Sequence, residues 1–213
     1  LGKTYGFPIK IIEQGNAGPA TARNTGARAA RGDTLLFVGD DCLPDHNLLF
    51  YHWQAHYLSE RRVALQGYTD WHPDIPPDSF HYFLTEKSGL QANWSILKNP
   101  DGTWKKKADG YFLTTNVSID RMEFDRLGGF DESFPKPAWE DIELGIRVQT
   151  FGIPTLFEPR AVNYHLHRQT LDGFAARQRM EGASRLYLVA ICPELAGHLL
   201  DPAGLRDSTE EKA

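Results

Sequence analysis

Strand-like and helix-like stretches alternate along the first third of this chain, and that alternation restricts the fold more than any other feature. Phe7 to Gln14 (FPIKIIEQ) is apolar and β-branched and stops at Gly15-Asn16, which predicts a strand. The alanine-rich run after it has Pro19 where a first helical turn would lie and ends at Gly32. Its small residues Ala20, Gly26, Ala27 and Ala30 predict a helix lying close against a sheet. Thr34 to Val38 (TLLFV) is a continuous apolar run of the kind found in strands buried on both faces. A second helix is expected from Pro44 or Asp45, and Arg61 to Thr69 predicts another strand. Such alternation implies an α/β fold, a mixed and mostly parallel sheet flanked by helices. Ligands of such sheets bind beyond the carboxyl ends of the strands.

The later sequence adds further elements. Residues 70–112 are rich in proline and aromatic residues and predict loops, a short helix around Ser79 to Ser88 and a turn at Asn99 to Gly102. Phe112 to Ile119 predicts a strand, and Arg121 to Leu127 a short helix ended by Gly128-Gly129. Around Glu140 a clearer helix begins, with Trp139, Ile142 and Ile146 at helical spacing and Glu143 paired with Arg147 at i,i+4. Pro154 to His167 reads as strand, turn, strand. Phe174 to Ile191 predicts an amphipathic helix before an acidic, Ser-containing end. The reading therefore divides the chain into a catalytic unit at 1–168 and a helical tail at 169–213.

Composition narrows the function. A net charge of −5 over 213 residues argues against nucleic acid as a partner. Two cysteines, Cys42 and Cys192, are too few for a disulfide framework, which favours a reducing compartment. No apolar run approaches the roughly 18 residues of a membrane span.

Three short stretches carry chemistry. Gly39-Asp40-Asp41 places two carboxylates at the end of an apolar strand, where carboxylates are costly unless a cation meets them. Mg²⁺ takes one or two carboxylates plus substrate phosphates, although Gly-Asp-Asp is also a good turn sequence. Trp139-Glu140-Asp141 puts two acids in the first turn of a helix, where the dipole favours their charge and would keep a proton acceptor ionised. His165 and His167 lie at i,i+2 on a strand and so on one face, one a candidate metal ligand and the other its support.

In order and spacing, NAGPATARNTGARAARGDTLLFVGDD, TTNVSIDRMEFDRLGGFDESF and WEDIELGIRVQTFGIPTLFEPRAVNYHLH together resemble the family 2 glycosyltransferases of GT-A fold, over residues 9–190. The resemblance implies an inverting hexosyl-type transfer from a nucleotide-diphosphate sugar to an acceptor hydroxyl. Gly39-Asp40-Asp41 resembles the family's DxD motif with Gly39 in place of the first acid. By this resemblance Asp41 would bind Mg²⁺ or Mn²⁺ and Asp40 would face the ribose. Arg23 would lie near the nucleotide, Asn116 near the donor sugar, and His165 or His167 would reach the metal. Asp141 would be the general base, with Glu140 beside it. The implied acceptor is a glycan, lipid-linked or other hydroxyl, in bacterial polysaccharide or glycan biosynthesis. The implied location is the cytoplasm, with peripheral association at the inner membrane face as a lesser reading. The family opens with a further strand and helix that this sequence lacks, so a longer enzyme is expected. A metal-dependent nucleotidyltransferase and a non-catalytic nucleotide-sugar-binding remnant stand as alternatives.

The aromatic residues Trp71, Trp94 and Trp104 are candidates either for stacking on an acceptor sugar or for loop cores. Lys105 to Lys107 read as a solvated face.

Overall fold

The computed structural model describes residues 6–59, 62–75, 78–84, 94–166, 169–196 and 199. Five strands, β1 (Thr34–Val38), β2 (Cys42–Pro44), β3 (Ala64–Trp71), β4 (Asn116–Asp120) and β5 (Thr155–His165), form one sheet in the order β1-β4-β3-β5-β2. The helices are α1 (Gly18–Ala29), α2 (Leu48–Leu58), α3 (Ser79–Tyr82), α4 (Arg121–Leu127), α5 (Glu140–Thr150) and α6 (Leu171–Ile191).

The expected mixed sheet is present, and its parallel character is subtler than expected. β4 lies antiparallel between β1 and β3, so those two run the same way without touching. β3 and β5 are adjacent and parallel, and β2 closes the far edge antiparallel to β5. Three of the five strands therefore share a direction, but only one pairing of neighbours is parallel.

β4 shows how the sheet is filled. Val117 and Ile119 point to one face, into a core with Leu35, Phe37, Phe124, Phe130, Leu144 and Val148. Asn116 and Ser118 point to the other, where α2 brings His52 against them. The period of two thus places α1, α4 and α5 on one face and α2 on the other. β1 was expected to be buried on both faces. It is an edge strand instead, with Leu35 and Phe37 inward and Val38 48% exposed.

Three further expectations are corrected. Phe7 to Gln14 forms no strand; Phe7, Ile9 and Ile11 are exposed, because no ladder among the described residues receives the segment. The expected strand over Phe112 to Ile119 begins only at Asn116. The turn expected within 154–167 is a bulge inside one continuous strand: Gly67 pairs with Glu158 and Tyr68 with Val162, so residues 159–161 loop out of register. Trp94 and Trp104 build a second core with Leu97, Ala108 and Phe157, and Trp94 Nε1 donates to the Thr69 carbonyl at 2.8 Å. They are therefore structural and not exposed sugar platforms.

Local signals account for the helices. α4 is capped by Asp120, whose carboxylate accepts from the Met122 and Glu123 amides, and it stops at Gly128 in the left-handed region, φ 84°. α1 buries Ala20, Asn24 and Ala27, while Gly26 and Ala30 face solvent. α6 starts three residues earlier than expected, where Thr170 accepts from the Gly173 amide. Among the described residues no helix is long and apolar enough to cross a membrane.

Candidate active site

The common direction of β1, β3 and β5 sets the site. Their last residues, Val38, Trp71 and His165, finish at one end of the sheet. β4 runs the other way, so Thr114 and Thr115, just before it, lie at that same end. The turn Gly39-Asp40-Asp41 carries the chain past this end from β1 to β2.

Asp41, Cys42 and His165 form one cluster, with ligand atoms all within 4.8 Å of one another. His165 Nε2 is 3.3 Å from Asp41 Oδ1, and the Asp41 carbonyl accepts from the Leu166 amide at 2.8 Å. Burial, and then the Asp41 carboxylate, push the Cys42 thiol up to about 12. Asp40 is exposed in the turn. His167 lies outside the described residues.

The second acidic group is built at the start of α5. Ala138 and Trp139 both have positive φ, 123° and 73°, a strained approach that aims Glu140 and Asp141. Glu140 is buried: Arg23 Nη1 donates to Oε1 at 2.5 Å, and the Ala138 amide donates to Oε2 at 2.8 Å. Both its oxygens are engaged, so Glu140 ties the start of α5 to α1. Arg23 makes that tie and lies 5.6 Å from the Phe130 ring centre. Asp141 Oδ1 accepts from the Ile142 amide at 2.9 Å, while Oδ2 has only long contacts, 3.3 and 3.4 Å, from the Thr114 hydroxyl and amide. Burial first, then the Glu140 charge, raise the Asp141 pKa above its ordinary 3.8, against the lowering by Arg23. Desolvation outweighs the helix dipole, which favours the ionised carboxylate.

Asn116 does not face the cleft. It is fully buried, Nδ2 donates to the Tyr68 and Ala161 carbonyls at 2.9 and 2.7 Å, and Oδ1 lies 2.8 Å from His52 Nε2. Its carboxamide ties β4 to β3, the β5 bulge and α2. The sequence reading missed His52 and His56, whose only signal was their i,i+4 spacing on α2. Because Asn116 Oδ1 can only accept, His52 Nε2 carries the hydrogen and Nδ1 accepts from the Ser118 hydroxyl; His56 Nε2 then donates to the Ser118 oxygen.

A cleft of about 230 Å³ opens next to Glu140, between the start of α1 (Asn16 to Ala20) and residues 132–137. Asn24 ties α1 to the chain after α4: its Nδ2 donates to the Phe130 carbonyl and its Oδ1 accepts from the Phe130 amide, both at 2.9 Å. Gly129 is required there, since its φ is 76° and a Cβ would sit 2.6 Å from Asn24 Oδ1.

Residues 2–107 match the family described as "Glycosyl transferase family 2". A validoxylamine A glucosyltransferase of Streptomyces hygroscopicus subsp. jinggangensis is 52% identical over 167 residues, covering 68% of this chain and 39% of that protein. The chain belongs to glycosyltransferase family 2. A pre-mycofactocin glycosyltransferase of Mycobacterium tuberculosis is 26% identical over 194 residues, covering 88% of this family 2 chain and 38% of that protein. The chain thus spans about two fifths of the length of these relatives. Among solved structures, the mannosyltransferase PcManGT from Pyrobaculum calidifontis, in complex with GDP-Man and Mn²⁺, superposes with a TM-score of 0.56 at 17% identity, covering 84% of this chain and 45% of that one. GalNAc-T7 with UDP, GalNAc and Mn²⁺ gives 0.51 at 17% identity, over 74% and 31%. These likenesses show the GT-A fold for this family 2 member.

Proposed function

We propose that this chain carries the catalytic centre of an inverting glycosyltransferase, which moves a hexosyl group from a nucleotide-diphosphate sugar to an acceptor hydroxyl. The supporting observation is the gathering of the Asp41–His165 cluster and the Asp141 carboxylate at one end of the sheet. The carboxylate oxygen and imidazole nitrogen of Asp41 and His165, close together at the strand ends, suit a divalent cation, Mg²⁺ or Mn²⁺. Such an ion, when bound, supplies positive charge for a departing diphosphate. The two structural neighbours of this fold hold Mn²⁺ with GDP-Man or with UDP and GalNAc. The relative at 52% identity is named for glucosyl transfer, so glucosyl donors come first in any assay, with glycan, lipid-linked and other hydroxyl acceptors.

In this reading Asp141 takes the proton of the incoming hydroxyl. Its raised pKa makes it a stronger base than a solvated aspartate, and its loosely held Oδ2 is the accepting atom. Glu140 and Arg23 keep the start of α5 seated and so hold Oδ2 beside Thr114.

The test is transfer from a panel of nucleotide-sugars with Mn²⁺ and Mg²⁺, comparing the parent with Asp141→Asn. Loss of about 10²- to 10⁴-fold in kcat with donor binding retained is expected. The acid limb of the parent's pH profile should lie above the ordinary aspartate value of 3.8. Full activity of Asp141→Asn would defeat the assignment.

A further inference from the structure

We propose that Cys42 is a third ligand at the Asp41–His165 site, making it an oxygen–nitrogen–sulfur set that takes borderline-soft cations such as Zn²⁺ and Co²⁺ more tightly than a purely oxygen-and-nitrogen site would. This rests on the reading that Asp41 and His165 hold a cation.

Three observations converge. The Cys42 sulfur is 3.6 Å from Asp41 Oδ1, inside the cluster whose ligand atoms lie within 4.8 Å of one another. Strand register puts it there independently: Cys42 and His165 are direct partners in the antiparallel β2–β5 ladder, and direct partners project to the same face with Cβ atoms about 5 Å apart. The third observation is a space. A Cβ on Gly39 would stand 2.9 Å from both Asp41 Oδ1 and Cys42 Sγ, its two nearest neighbours, with the Cys42 Cβ next at 3.8 Å. Glycine therefore keeps open the gap between the two ligand atoms.

Thiolate sulfur favours Zn²⁺ and Co²⁺, whereas Mg²⁺ prefers oxygen. In the free protein the thiol hydrogen points to the Asp41 carboxylate. On binding, that proton leaves to solvent and the sulfur electron pair forms the bond to the cation, so charge and atoms balance.

The experiment is a Co²⁺ titration of the reduced full chain, followed by absorbance, with Cys42→Ser and Cys192→Ser beside it. Expected is one cobalt per chain, with visible ligand-field bands and a near-ultraviolet sulfur-to-cobalt charge-transfer band. That band should survive Cys192→Ser and vanish in Cys42→Ser, which still binds cobalt. Competition should show Zn²⁺ affinity lowered roughly ten- to a hundredfold by Cys42→Ser, with Mn²⁺ affinity, read by paramagnetic resonance, changed much less. Cobalt bound without the charge-transfer band, or a band that follows Cys192, overturns the inference and leaves the cation reading intact. Failure of both Co²⁺ and Mn²⁺ to bind overturns both.

Discussion

Glu140 and Asp141 are neighbours in sequence held in opposite ways, one with both oxygens firmly bonded and the other with one loosely held. Glu140 holds Arg23 and the Ala138 amide from a buried position, so Glu140→Gln weakens a nearly buried ion pair. Because the Arg23 side chain keeps 28% exposure, the expected loss is about 2 kcal/mol, less than a fully enclosed pair would show. Chemical denaturation should register that loss, whereas Asp141→Asn should leave the midpoint nearly unchanged and act on turnover. His52 makes a second residue-scale prediction. Burial pushes its pKa down from 6.5 to about 4, so it is neutral when folded. Between those values the unfolded chain binds the extra proton. The stabilisation is fully present above pH 6.5 and is lost as pH falls to 4, on the order of 3 kcal/mol. The His56 pKa is lowered too and acts with the same sign. Urea midpoints measured across this window should fall steeply, and His52→Asn should flatten the slope.

At the scale of elements, α6 secures the approach to α5. The buried Ser184 hydroxyl accepts from the Lys136 amide at 3.1 Å and donates to the Lys136 carbonyl at 2.6 Å. The Arg185 guanidinium lies over the Trp139 ring at 4.9 Å, and the Tyr187 hydroxyl reaches Asp131 at 3.0 Å. Ser184→Ala strands both backbone groups of Lys136, a loss of about 2 kcal/mol. The strained Ala138-Trp139 approach should then relax, so kcat should fall more than donor affinity; unchanged kcat would separate α6 from the site. Parts of this architecture were legible in sequence because they are written locally. Asp120, Gly128 and the Glu143–Arg147 pair mark α4 and α5 within a few residues of themselves. Other parts depend on partners far along the chain. The inward turn of Asn116 needs His52, 64 residues away, and the edge position of β1 needs β4 inserted beside it. The pairing of Cys42 with His165 needs two strands separated by most of the fold. Hydrophobic pattern carries none of that information.

At the scale of the molecule, two cores among the described residues share the load. The larger lies under α1, α4 and α5; the smaller, around Phe157, Trp94 and Trp104, supports the β3–β5 half of the sheet. Phe157→Ala removes the ring on which Trp94 stacks, with centroids 5.8 Å apart, and should cost about 3 kcal/mol, a drop of roughly 10 °C in Tm. The looped-out residues 159–161 sit between the half of β5 that fills this core and the half that presents His165. The Ala161 carbonyl inside that loop accepts from Asn116 Nδ2 at 2.7 Å, so the bulge is pinned to β4 and steps the register without loosening the strand. One carboxamide thus acts as the rivet of the sheet, and a change that unseats Asn116 would reach both the aromatic core and the His165 end of β5.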